Sequence, residues 1–186
     1  MKKLFQFNND TSAGSESGTT IMNFSSFLNK LFIILFIVLT SSGLRAQVVM
    51  ELNSFIEQLK ASADPVLVAN LNHLESLIKD VQPTVYVCNT ITAKGEIQPV
   101  CANVKAGSIN QMIVENPLFN QVELITIRLQ SPDDLNFVLD LPKLTGFTNL
   151  KYVYFLCEFN SGIEDVQKLF IPKIGITVFY KVSIPS

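Results

Sequence analysis

The sequence predicts an α/β domain with a helical hairpin, a β-hairpin and then strand–helix–strand–helix–strand units with parallel pairing. Three observations support this order. Apolar residues recur at helical spacing over 48–81, an alternating pattern follows over 84–104, and two strand–helix units of similar sequence occupy 119–186. Because strand–helix–strand units with short loops pair their strands in parallel, we expect a parallel sheet in the last part of the chain.

An export signal is predicted to precede this domain. Residues 31–44 carry no charge and follow Lys30, and the apolar centre of this run gives way to small and polar residues at 40–43 shortly before Ala46. This order is typical of a signal peptide, and the uncharged run is shorter than the roughly 20 residues that a transmembrane helix needs. We therefore expect cleavage between Ala46 and Gln47.

The signal itself is predicted to cover residues 22–46, beginning at a second methionine, Met22. Residues 1–21 are then a disordered segment or a mis-assigned start. After cleavage the domain is expected in the periplasm, on the cell surface or in the medium. The alternative is an uncleaved segment that anchors the domain to a membrane.

The mature chain, residues 47–186, is expected to form a single domain. It holds 10 Lys and Arg against 14 Asp and Glu, so its formal charge is −4. No basic cluster is present, which argues against nucleic-acid binding. An acidic surface also disfavours contact with anionic membranes.

Helical spacing and helix-ending residues divide the first part of this domain. Val49, Leu52 and Ile56 begin one apolar stripe, and a second stripe follows Asp64 and Pro65. Asp is a good N-cap and Pro a good first helical residue. A helical hairpin is therefore predicted over 47–83.

Residues 84–118 are predicted to form a β-hairpin turned at Lys94-Gly95, followed by a connector with a short helix from Ser108. With a two-residue turn, Cys88 lies directly opposite Cys101. Export permits disulfides, so we predict a Cys88–Cys101 bond, which would contribute on the order of 3 kcal/mol. Cys157, within an apolar strand, is predicted to be a buried thiol.

The last part of the chain contains a repeat. Residues 119–129 match 147–157 in pattern, position by position, and each copy is followed by a helix start. The strands 122–129 and 150–157 are predicted to be adjacent and parallel, and a final strand covers 175–182. The apolar residues expected to be buried in the two repeated strands are Val122, Ile125, Ile127, Leu150, Val153 and Phe155.

In residues 119–186 the chain resembles leucine-rich repeats. Apolar residues of 141–155 recur at every third position and then alternate, and the distance between the two copies lies within that family's range of repeat lengths. The position of the family's ladder asparagine holds Gln130 in one copy and Glu158 in the other. The resemblance implies a curved sheet that binds partners. The other interpretation is a small α/β sheet with a chance similarity between two units.

Few residues in the domain suit catalysis. His73 is the one histidine, on the flank of the second predicted helix, where a partly exposed structural role is expected. The acid pairs Asp133-Asp134 and Glu164-Asp165 stand at helix starts, where carboxylates interact favourably with the helix dipole. Two such carboxylates could also serve glycoside hydrolysis or bind calcium.

The sequence thus predicts an exported, non-enzymatic binding module for a protein or carbohydrate partner. The alternative is a small secreted or periplasmic hydrolase that uses the paired carboxylates. No metal site, cofactor or catalytic residue is predicted, because one histidine and scattered cysteines do not form a zinc site and no glycine-rich phosphate loop is present.

Overall fold

The protein is described by a computed structural model that covers residues 49–62 and 64–185, so the predicted signal and its cleavage site lie outside the described residues. The described residues belong to one compact unit. Among the described residues, no helix combines the length and hydropathy of a membrane span.

A seven-stranded sheet is the centre of the fold. Its spatial order is β1-β9-β7-β5-β4-β2-β3, and every neighbouring pair is parallel except β2 and β3. A separate parallel pair, β6 with β8, lies outside this sheet. The strands are β1 Met50–Glu51, β2 Thr84–Val87, β3 Ile91–Ala93, β4 Cys101–Lys105, β5 Leu124–Leu129, β6 Leu139–Asp140, β7 Tyr152–Cys157, β8 Phe170–Ile171 and β9 Thr177–Val182. The predicted α/β class with a mostly parallel sheet is confirmed.

Within residues 49–185 as described, three α-helices accompany the sheet: α1 Leu52–Lys60, α2 Pro65–Lys79 and α3 Ile163–Gln167. The start of α2 is fixed by Asp64, whose Oδ1 accepts a hydrogen bond of 2.8 Å from the backbone of Val66. Proline at the first position costs no hydrogen bond there. An ion pair of 3.6 Å between Lys60 and Glu75 joins the first two helices.

The helix that follows each repeated strand is short in the structure. A 3₁₀ helix covers Pro132–Leu135 and ends where the Asn136 side chain donates to the carbonyl of Asp133 at 2.9 Å. The chain then enters β6, and in the next unit α3 leads into β8. The segment that follows each repeated strand is thus a short helix and then a short strand. The connector after β4 is a 3₁₀ helix over Ala106–Ile113, which begins two residues before Ser108.

The predicted pairing of the two repeated strands is confirmed by the sheet register. Leu124 of β5 pairs with Tyr152, the equivalent residue of β7, and the two strands are parallel. Of the residues expected to be buried here, all are buried except Leu150, which is half-buried. The apolar strand sequence and the spacing were therefore sufficient to predict this pairing.

Equivalent positions of the two units also contact each other before the strands begin. The rings of Phe119 and Phe147 stack with centroids 4.3 Å apart. Three hydrogen bonds follow, each between equivalent residues of the two units: Thr148 to the carbonyl of Asn120 at 2.8 Å, Asn149 to Gln121 at 2.9 Å, and Lys151 to Glu123 at 2.9 Å. The repeat therefore extends from the strands into the turns that precede them.

The predicted β-hairpin over 84–104 is wrong in its second strand. Cys88 begins a turn in which its N–H donates to the carbonyl of Thr90, and the chain returns antiparallel as β3. Gly95, with φ of 86°, then helps to turn the chain again, so that β4 runs parallel to β2. The Lys94-Gly95 turn is real, but it lies in a crossing loop and not at a hairpin tip.

The sheet separates two apolar layers, which we call the inner and the outer face. The inner face carries the larger cluster, closed by the 3₁₀ helices, α3 and the β6–β8 pair. The outer face carries a smaller cluster on which α1 and α2 pack. That outer cluster comprises Leu52, Leu74, Leu77, Cys101, Leu124, Tyr154 and Phe179.

Candidate functional site

The outer face is covered unevenly, and its uncovered part is the candidate site. The outer cluster lies mainly at the amino-terminal ends of the central strands, where Cys101 and Leu124 pair with each other. Towards the carboxyl ends, Asn103, Lys105 and Arg128 are exposed. A parallel sheet is normally buried on both faces, so an open stretch on its central strands is unusual.

Two rows of outward-facing residues cross this open stretch. In the first row, Tyr86 of β2 pairs with Asn103 of β4, which pairs with Thr126 of β5. In the second row, Lys105 of β4 pairs with Arg128 of β5. Because neighbouring strands are about 4.8 Å apart, the members of each row are close neighbours.

A cleft of about 400 Å³ lies over these rows, and its outward-facing lining includes Tyr86, Cys88, Asn103, Lys105, Thr126, Arg128, Gln130 and Leu156. A second cleft, of about 300 Å³, lies between the end of α2 and the sheet. It shares Asn103, Thr126 and Leu156 with the first. The two clefts are therefore one depression, which we call the outer-face groove.

The two cations of the second row differ in whether an acidic side chain compensates their charge. The Arg128 side chain forms an ion pair with Glu158 at 2.8 Å. Lys105 is exposed, and within the described ranges it forms no ion pair. Since Lys105 and Arg128 are register partners, two cations stand side by side, an arrangement that destabilises a sheet.

His73 belongs to a polar cluster at the other end of the outer face. Its Nε2 lies 2.7 Å from Oε2 of Glu123, which also accepts from Lys151 at 2.9 Å. Burial alone would raise the pKa of Glu123, but the hydrogen bonds from His73 and Lys151 hold that pKa below its ordinary value of 4.5. The cluster joins α2 to the starts of β5 and β7, which is consistent with the structural role expected of His73.

We expect Glu123→Gln to lower stability at neutral pH but not in acid. A carboxyl whose folded-state pKa is lowered stabilises the fold above the ordinary value, and this contribution is lost as the pH falls through the lowered pKa. The difference in free energy of unfolding between wild type and variant, from urea titrations, should therefore shrink from about pH 7 to about pH 3. Glu115→Gln, at an exposed position, is the control. A pH-independent difference for Glu123→Gln would contradict this account.

The second acid of each pair caps the start of its helix. Oδ2 of Asp134 accepts from the backbone of Gln130 at 2.6 Å and of Ser131 at 3.3 Å. Oδ2 of Asp165 accepts from the backbone of Gly162 at 3.1 Å. A cleft of about 220 Å³ contains Asp133 and Asp134, which are adjacent in the chain. In none of the three clefts described here do acids from different segments converge.

The predicted Cys88–Cys101 disulfide is absent, because the strand direction on which it depended is reversed. Thr84 pairs with Cys101 and Val87 with Val104, so Cys88 and Cys101 lie near opposite ends of parallel strands. At about 3.3 Å per residue they are roughly 13 Å apart, beyond disulfide reach. All three cysteines are free thiols, and Cys157 is buried.

Cys101 is poorly suited to nucleophilic chemistry. Burial, followed by the negative charge of Glu123, raises the pKa of its thiol to about 11. Its Sγ contacts the carbonyl of Leu77 at 3.5 Å, beneath α2. Among the described residues, no group of three or more His, Cys, Asp and Glu side chains could hold a metal ion.

Comparison with protein-family models, with curated proteins and with solved structures found no match to this chain. The candidate site is therefore identified from the geometry of the outer face.

Proposed function

We propose that the domain is an exported, non-enzymatic binding module that holds its ligand in the outer-face groove. The observation that carries this proposal is the open stretch on β2, β4 and β5, where exposed polar and charged residues occupy a place that a parallel sheet usually covers. Ligands of open α/β sheets bind at the carboxyl ends of the strands, and the first cleft of the groove reaches those ends at Cys88, Lys105 and Gln130. Export is inferred from residues 22–46 alone.

We further propose that β4, β5, β7 and β9 are successive coils of a leucine-rich-repeat-like solenoid. Register partners step from Cys101 to Leu124, from Leu124 to Tyr152 and from Tyr152 to Thr177. Each of these three steps lies within the repeat length of that family, roughly 20–29 residues. In this arrangement the hairpin of α1 and α2 covers one part of the outer face and leaves the groove as the binding surface.

The proposal predicts that a bulky residue at Asn103 abolishes binding. Asn103 is exposed and lines both clefts, so Asn103→Trp should fill the groove without disturbing the core. The purified protein would be applied to an array of acidic and neutral oligosaccharides and synthetic peptides. We expect a loss of at least about tenfold in affinity for whichever probe the wild type binds.

Thr92→Trp is the matched control, because Thr92 is exposed on the same face but lines neither cleft. Unchanged binding by Asn103→Trp would contradict the groove as the site. Cleavage of a bound oligosaccharide by the wild type would favour the hydrolase alternative, and cleavage abolished by Asp133→Asn would locate it at the acid pair.

A further inference from the structure

We propose that the ligand of the outer-face groove is an acidic oligosaccharide, whose carboxylates bind Lys105 and Arg128 and whose hydroxyls bind Asn103 and Thr126. This inference rests on the proposed binding function and names the chemistry of its ligand. It draws on the charge of the groove, the neutral polar groups beside that charge, and the pairing of the strands beneath.

The positive charge of the groove favours an acidic ligand. The row that starts with Lys105 and Arg128 continues through Leu156 to Lys181, so three of its four members are cations. Glu158 compensates Arg128 at 2.8 Å, so Lys105 carries the uncompensated charge of the groove. The mature chain as a whole is acidic, with 10 Lys and Arg against 14 Asp and Glu. A local cationic row on an acidic domain is complementary to an anion. Because like charges in register reduce sheet stability, an anion that binds there would remove an unfavourable interaction.

The neutral groups of the groove are the second argument. Asn103, Thr126 and Gln130 supply amide and hydroxyl groups that both donate and accept hydrogen bonds. The ring of Tyr86 is 39% exposed at the same cleft and offers an apolar surface with a polar tip. A sugar ring presents the matching combination of hydroxyl groups and an apolar face.

Strand pairing disfavours a peptide as the occupant. An extended peptide adds to the open edge of a sheet, but β2, β4, β5 and β7 each have strand neighbours on both sides. A peptide helix needs a row of apolar anchor pockets. In the first cleft, the half-buried Leu156 is the main apolar side chain of the outward-facing rows, and the apolar side chains of the second cleft, such as Leu77 and Leu124, are already buried in the outer cluster.

The test measures calorimetric affinity of the purified protein for tetragalacturonate and for its methyl ester, which keeps the hydroxyls and loses the charge. We expect binding of the acid, a loss of at least about tenfold for the ester, and a similar loss for Lys105→Gln and Arg128→Gln. Lys94→Gln removes the same charge at an exposed position outside the groove and should bind as the wild type does.

A second measurement distinguishes an effect on ligand affinity from an effect on the stability of the fold. Lys105→Glu places an anion beside Arg128, so its urea midpoint should rise while its affinity for tetragalacturonate falls. Lys94→Glu should change neither. A lower midpoint for Lys105→Glu would overturn the argument from adjacent like charges.

The remaining outcomes distinguish this inference from the proposed function. If the wild type binds the acid and the ester with equal affinity, the preference for an anion is wrong. If Asn103→Trp then abolishes binding of both, the groove remains the binding site. Binding of a hexaglutamate peptide with higher affinity than tetragalacturonate would overturn the sugar in favour of a protein partner. If neither sugar binds, the ligand assignment is wrong.

Discussion

Replacing Phe119 by alanine should lower the free energy of unfolding by about 3–5 kcal/mol, the range for removing a fully buried phenylalanine. Phe119 has no exposed surface, and its ring stacks on Phe147 with centroids 4.3 Å apart. Phe147→Ala should cost a similar amount. Because the two rings contact each other, the double variant should cost less than the sum, by about 0.5–1.5 kcal/mol of coupling. Urea unfolding of the four proteins measures this cycle.

Ile174→Ala is the control for these measurements, because Ile174 is fully exposed and its replacement should change stability by less than about 0.5 kcal/mol. If the costs of Phe119→Ala and Phe147→Ala were strictly additive, the stack would contribute nothing beyond burial. The coupling that we attribute to equivalent positions of the repeat would then be absent.

Phe179→Ala should have a comparable effect, about 3–5 kcal/mol, through the outer face. Phe179 of β9 has no exposed surface and contacts Phe55 of α1 and Tyr152 of β7, with ring centroids 4.8 Å and 5.9 Å apart. Its removal leaves α1 without its main aromatic partner on the sheet. Amide hydrogen exchange should therefore accelerate most in α1, whereas the inner cluster keeps its packing.

The matched control is Phe159→Ala, because Phe159 is only half-buried and packs against the inner cluster. It should cost less than Phe179→Ala and should not change exchange in α1. Uniform acceleration across the whole sheet in Phe179→Ala would contradict a separate outer layer. If Phe179→Ala remains folded but no longer binds the ligand, ligand binding in the groove depends on α1.

The sequence was sufficient to predict the parallel pairing of β5 with β7, for a clear physical reason. Apolar residues that alternate within a repeated unit specify both the face and the register, because a shift by one residue would turn the apolar residues outward. The same reasoning predicted the faces of β2 and β4 correctly. Val85, Val87, Ala102 and Val104 all lie in the inner cluster, although the two strands run in the same direction and not in opposite directions.

Whether β2 and β4 run parallel or antiparallel could not be predicted from the sequence. Alternation determines which side chains share a face but is the same for parallel and antiparallel neighbours. The hairpin prediction rested on a turn at Lys94-Gly95, and the three-residue strand β3 that precedes this turn has too few residues for a recognisable pattern. The disulfide prediction inherited this error, because Cys88 and Cys101 are opposite each other only in an antiparallel register.

The candidate site was missed in the sequence because its residues are separated along the chain and individually ordinary. Tyr86, Asn103 and Thr126 each occupy the outward position of a different strand, and only the register joins them. One signal was present: polar residues interrupt otherwise apolar strands at Asn103 and Thr126. In a parallel sheet covered on both faces, such interruptions indicate where the cover ends.

The seven-stranded sheet ends on both sides in very short strands. β1 has two residues and β3 has three, whereas β5, β7 and β9 have six each. β3 offers few free backbone groups to a strand from another molecule, whereas β1 pairs with only Phe179 and Tyr180 of β9. Long unprotected edges recruit other chains into aggregates, and short edge strands prevent this. The short β3 therefore protects one edge of a sheet of long central strands from edge-to-edge polymerisation.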